Sequence, residues 1–176
     1  MNKHFALIAI VALPLWSLSQ NIGVGADVMY NPQTESFGVG TRVCFFPYNR
    51  LSIAPELSYY PPASFNKVNE LNVGLAAEYK FIYKERFNIY AIAHGAYNHW
   101  INYAESPMKG AKPTNLNLEC GLGISTNKRL RPFLEYRYNI RFMETHLRLG
   151  VLYIFNSNQG GAGSGGHDRR CDAYNN

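Results

Sequence analysis

The stretch His146-Leu147-Arg148-Leu149-Gly150-Val151-Leu152-Tyr153-Ile154-Phe155 changes character with nearly every residue. Leu147, Leu149, Val151, Tyr153 and Phe155 fall on one side of an extended chain, and His146, Arg148 and Gly150 on the other. A period of two over a run this long is the pattern of a β-strand with two unlike faces.

The same alternation extends back through the chain. The segment before it sets Leu134, Tyr136, Tyr138 and Ile140 against Glu135, Arg137, Asn139 and Arg141, after a turn at Thr126-Asn127-Lys128-Arg129. A sixth segment sets Leu116, Leu118, Cys120, Leu122 and Ile124 against Asn117, Glu119, Gly121 and Gly123. The fourth sets Leu71, Val73, Leu75, Ala77, Tyr79 and Phe81 against Glu70, Asn72, Gly74, Ala76, Glu78 and Lys80. The third sets Leu51, Ile53, Pro55, Leu57 and Tyr59 against Ser52, Ala54, Glu56 and Ser58, with a bulge expected at Pro55 because proline removes a ladder donor. The second opposes Phe37, Val39, Thr41, Val43 and Phe45 to Gly38, Gly40, Arg42 and Cys44; the first opposes Ile22, Val24, Ala26, Val28 and Tyr30 to Gly23, Gly25, Asp27 and Met29. The fifth, Phe87 to about Tyr103, is the least regular: Asn88, His94 and Asn98 oppose Phe87, Ile89, Ala91, Ala93 and Tyr97, which also turns Tyr90 and Ile92 inward.

Eight strands between Asn21 and Phe155 leave roughly 17 residues for each strand and its connection, which suits tilted spanning strands of about 9–11 residues. The polar face decides which side is wet. It is rich in Gly, Glu, Arg and Asn and poor in Lys, whereas soluble exteriors carry mixed flexible charges with plentiful Lys. It holds six acids (Asp27, Glu56, Glu70, Glu78, Glu119, Glu135) and five bases (Arg42, Lys80, Arg137, Arg141, Arg148), the near-neutrality that desolvated charges require. Tyr30, Tyr59, Tyr97 and Trp100 collect near one set of strand ends, and Phe45, Tyr79, Phe81, Phe87, Tyr153 and Phe155 near the other, as two interfacial girdles. The expected fold is all-β: an eight-stranded antiparallel up-and-down transmembrane β-barrel spanning 20–155, its polar face inside.

Composition agrees once position is known. Of 176 residues 47% are apolar, which argues against disorder, and only 16% are charged, while 14% aromatics and 15 Gly favour strands and turns. The formal charge of +5 sits largely in turns, loops and the C-terminal stretch (Arg50, Lys84, Arg86, Lys109, Lys112, Lys128, Arg129). Lys3 and His4 precede an apolar run from Phe5 to Trp16, then Ser17-Leu18-Ser19. That is the order of a secretory signal peptide, residues 1–19, with cleavage expected after Ser19. A secreted chain makes nucleic acid an improbable partner.

Arg148 to Phe155 resembles the C-terminal β-signal of bacterial outer-membrane proteins: a polar residue, then Gly, then two aromatics at alternate positions, ending at Phe155. The architecture over Gln20–Phe155 resembles the small OmpA/OmpX-like barrels, and a Gln following the cleavage site is similar to Bacteroidota-type secretory proteins. The resemblance implies integral placement in a Gram-negative outer membrane, contact with its lipid and lipopolysaccharide, and insertion by the barrel-assembly machinery.

Chemistry is not indicated. Lipid A deacylases of this barrel class place a Ser two residues after a His, but His94, His99 and His146 are followed there by Ala96, Ile101 and Arg148. No catalytic, cofactor-binding or metal residue is assigned. Cys44, Cys120 and Cys171 lack metal-ligand spacing and read as three unpaired thiols, one bridge plus a free thiol being the alternative. An eight-stranded interior is filled by its own side chains, which argues against conduction. Residues 156–176 hold the linker-like Gly160-Gly161-Ala162-Gly163-Ser164-Gly165-Gly166 and read as a flexible periplasmic tail. The leading expectation is a non-enzymatic structural or accessory subunit of a larger outer-membrane secretion, assembly or uptake complex, contacted through the tail. A lipid-modifying enzyme and a stand-alone envelope-stability or adhesion barrel are the rivals.

Overall fold

The alternating segments become eight strands: β1 (Ile22–Asn31), β2 (Ser36–Tyr48), β3 (Leu51–Tyr60), β4 (Glu70–Tyr83), β5 (Phe87–Trp100), β6 (Thr114–Thr126), β7 (Leu130–Asn139) and β8 (Glu144–Phe155). The structure is a computed structural model and describes residues 22–48, 50–62, 68–106 and 112–155. The expected signal peptide and tail lie outside these residues. Each strand pairs antiparallel with the next, and β8 closes on β1, so the sheet has no edge left to cap. Three short turns (49–50, 84–86, 127–129) share one end with Ile22 and Phe155. The other end carries loops 32–35, 61–69, 101–113 and 140–143.

Register sets the tilt. Following paired residues once round from Ile22 leads through Phe45, Ile53, Ala77, Ala93, Cys120, Tyr138 and Thr145. Extending the β8–β1 register by two positions, Thr145 falls opposite Pro32, ten residues beyond the start. An offset of that size round eight strands inclines them by roughly 40° to the axis, within the range of closed barrels.

The faces are inverted relative to a soluble protein. Leu149 is 58% exposed and Val73 56% on the outer wall, while Arg137 and Glu135 inside are fully buried. The interior has three layers. Asn31, Asn72, Asn98, Asn117 and Asn139 line the long-loop end, ionised side chains fill the middle, and Cys44, Ala54, Ala76, Tyr90, Ile92, Phe133, Leu152 and Ile154 pack the short-turn end. Gly123 makes room for one of these: a Cβ there would run into the Tyr90 ring.

Several expectations change. No bulge forms at Pro55; the β2–β3 ladder skips the Val43–Pro55 and Cys44–Ala54 positions and resumes in the same register, and Pro55 stays paired with Leu75 on β4. The irregularities fall instead between Phe45 and Tyr48, and between Lys80 and Ile82. Trp100 leaves the girdle, since position 100 lies an odd number of residues from outward Tyr97; its indole is buried, stacked 6.0 Å from Phe142. Arg141 is not inside. β7 ends at Asn139, whose Oδ1 accepts from the Arg141 and Phe142 amides at 3.0 and 3.1 Å, so alternation stops and Arg141 is exposed. Arg131 takes the fifth inward basic position because β7 begins at Leu130, four residues before the periodicity suggests. Tyr90 and Ile92 do face inward, at 3% exposure each. The two shorter loops at the long-loop end each carry a left-handed residue, Glu35 (φ 48°) and Met143 (φ 55°).

The charged interior as candidate functional site

Asp27 on β1, Arg42 on β2, Glu56 on β3, Glu78 on β4, Glu135 and Arg137 on β7 and Arg148 on β8 all project inward at mid-height, placed there by strand parity. The longest-reaching contacts cross the lumen, from β2 to β7 and from β7 to β3. Arg42 grips Glu135 with two bonds, Nη1 to Oε1 at 2.6 Å and Nη2 to Oε2 at 3.0 Å, and reaches Glu78 at 3.3 Å. Arg137 forks onto Glu56 at 2.8 and 2.9 Å while its Nε donates to Glu135 at 2.9 Å. Arg148 donates to Asp27 from Nε at 3.0 Å and Nη2 at 2.8 Å, and to Glu56 from Nη1. Paired bonds of this kind are the strong form of ion pair, and they satisfy several lone pairs at once.

Neighbours complete the set. The Tyr90 hydroxyl donates to Glu135 at 3.0 Å and that of Ser52 to Glu78 at 2.7 Å. Glu119 accepts from the Nδ1 atoms of both His94 and His146, at 2.9 and 3.0 Å. The guanidinium of Arg42 also lies 4.2 Å from the centre of the Phe133 ring. Gly40 admits the Asp27–Arg148 pair: a Cβ there would sit 2.7 Å from Asp27 Oδ1.

These side chains fill the middle of the barrel. Beneath Arg42 a void of about 20 Å³ lies among Cys44, Glu78, Lys80, Tyr90 and Phe133, about the size needed for one water. Among the described residues no Ser-His-carboxylate triad is assembled: His94 is inside, His99 is on the outer face, and Ser52, which bonds the Glu78 carboxylate, is fully buried. Among the described residues no group of His, Cys, Asp and Glu has metal-ligating geometry. Cys44 (inside) and Cys120 (outside) are both free; Cys171 lies outside the described residues.

Of the six acids expected inside, five are buried and Glu70 is half-buried, bonded by Asn72 at 2.9 Å and Asn98 at 2.5 Å. Arg131 and Phe133 were not anticipated; counting parity backwards from Glu135 would have found both.

No family model matches the sequence, and no curated protein does. Solved structures do. The N-terminal β-barrel domain of Pseudomonas aeruginosa OprF superposes with a TM-score of 0.60 at 18% identity, covering 77% of this chain and 97% of that one. This is the fold of the small eight-stranded outer-membrane β-barrels. Neisserial surface protein A matches such a barrel to this one with a TM-score of 0.50, at 16% identity, over 77% of this chain and 96% of its own. A de novo designed transmembrane β-barrel matches at 0.53 and 14% identity, over 77% and 95%. An apolar wall outside with the charged side chains turned inward is the pattern of a membrane barrel, because charge on the lipid-facing side is costly.

Proposed function

We propose that this chain is a non-enzymatic, non-conducting barrel of the Gram-negative outer membrane, an anchored accessory subunit of a larger secretion, assembly or uptake complex. The observation that carries the reading is the filled interior: three arginines paired with Asp27, Glu56, Glu78 and Glu135 occupy the middle of the barrel. A barrel that neither conducts nor catalyses contributes through its surface. The outer wall supplies anchoring in lipid, with lipopolysaccharide facing the long-loop end. The short turns lie at the same end as Phe155, and we assign that end, with the polar Gly-rich sequence 156–176 that follows, to the periplasmic side. Those residues are the candidate contact for a periplasmic or outer-membrane partner, and Arg148–Phe155 is the segment offered to the assembly machinery.

Extraction of native membranes in mild detergent, followed by size measurement, tests this. Co-migration with a stoichiometric partner, lost on deletion of 156–176, is the expected result. A lone monomer with no co-purifying protein overturns the complex. Unitary conductance in planar bilayers overturns the non-conducting barrel.

A further inference from the structure

The barrel wall is not equally closed. β6 and β7 share the ladder of shortest span, from Glu119↔Asn139 to Ser125↔Phe133, whereas β5–β6 continues to Phe87↔Thr126. Leu130, Arg131 and Pro132 pair with β8 only. Pro132 has no N–H with which to extend the β6 ladder, so the two strands part toward the short-turn end. At the parting the lipid-facing wall carries an open groove of about 280 Å³, walled by Phe87, Ile124, Thr126, Pro132, Leu134 and Leu149.

The rim beside this groove is cationic. Lys84 and Arg86 stand on the β4–β5 turn, Lys128 and Arg129 on the β6–β7 turn, and all four are exposed. The two turns are tied together: Asn127 donates from its amide to the Arg86 carbonyl at 3.2 Å and from Nδ2 to that of Lys84. Arg129 is held over the Tyr153 ring at 5.1 Å, with Nε donating to the Ile154 carbonyl at 3.4 Å. Among the described residues none of these four bases forms an ion pair, in contrast to Arg42, Arg137 and Arg148 inside. Glu85 is the single acid on the two turns.

An apolar groove that opens beside four cations against one acid matches one class of ligand, an anion carrying an acyl chain. We propose that this seam binds an anionic phospholipid of the periplasmic leaflet, such as phosphatidylglycerol, with one acyl chain in the groove and the phosphate among Lys84, Arg86, Lys128 and Arg129. The proposal rests on the membrane orientation given above and not on the accessory-subunit role. Phosphate contacts from exposed Lys and Arg are screened by salt, so binding weakens as ionic strength rises.

The test uses the purified full chain in detergent mixed with equal amounts of phosphatidylglycerol and phosphatidylcholine, with retained lipid read by native mass spectrometry. Wild type is expected to retain phosphatidylglycerol over phosphatidylcholine by roughly tenfold at low salt. The K84Q/R86Q/K128Q/R129Q variant should bring that ratio near unity, and Leu134→Trp, which fills the groove, should lower retention of both lipids. Heat-dependent gel mobility checks that each variant is folded. No headgroup preference in wild type, or an unchanged preference in the quadruple variant, overturns the site; so does retention that Leu134→Trp leaves untouched. Orientation is read separately: a Glu85→Cys variant labelled by an impermeant maleimide in intact cells would put the short turns outside and overturn the orientation instead.

Discussion

In the middle of the barrel, Arg42, Arg137 and Arg148 close on carboxylates from four other positions in the wall. One layer nearer the short turns, Ala54, Ala76, Ile92, Phe133, Leu152 and Ile154 close the same lumen by packing. Both layers exclude water, but they fail differently. In the packed layer a lost contact is local, since each side chain loses only its own neighbours. In the ionic layer every group serves several others. Glu135 alone accepts from Arg42, Arg137 and Tyr90, so its removal leaves two buried guanidiniums short of a partner.

The largest effect should therefore come from the ionic layer. Glu135→Ala is expected to destabilise the barrel by about 3–5 kcal/mol, measured as reversible urea unfolding from lipid vesicles, because it strands buried positive charge. A loss below about 1 kcal/mol would mean that the ion pairs are not coupled. Next comes the outer wall: Leu75→Arg, 54% exposed and near the middle of β4, should cost about 2–4 kcal/mol in lipid. The same substitution in detergent should be milder, since a micelle deforms round a charge. The packed layer follows, with Gly123→Val driving a side chain against Tyr90 for about 1–3 kcal/mol. If Gly123→Val proves costlier than Glu135→Ala, packing and not charge is what closes the lumen. The smallest change is at the long-loop end. Glu35→Gly relieves a left-handed backbone (φ 48°) and should stabilise by less than about 1 kcal/mol, offset by the extra freedom of the unfolded glycine.

Much of this arrangement is legible from parity. Apart from Trp100, every outward residue named from Ile22 to Tyr138 points outward, as do Leu147, Leu149, Val151, Tyr153 and Phe155 of β8, because a lipid wall punishes any slip of one residue. Parity also contained Trp100, Arg131 and Phe133, which composition obscured: a tryptophan near a strand end looks interfacial, and the Lys128-Arg129-containing turn masked where β7 begins. Arg141 and Pro55 are different. Whether alternation continues past Asn139 depends on an amide-capped turn. Whether a mid-strand proline bends the chain depends on what its neighbouring strands ask of its nitrogen.

Alternation, turn residues and charge type were enough to specify eight strands, their two faces and a membrane-facing exterior, since each follows from neighbours along one strand. The identity of the ion pairs was not, and neither was the parted β6–β7 seam. Arg42 meets Glu135 across 93 positions of sequence, and Arg148 meets Asp27 across 121, only because a stagger of ten residues round a closed wall brings them to the same height. Strand parity puts a charge inside; closure and shear choose its partner.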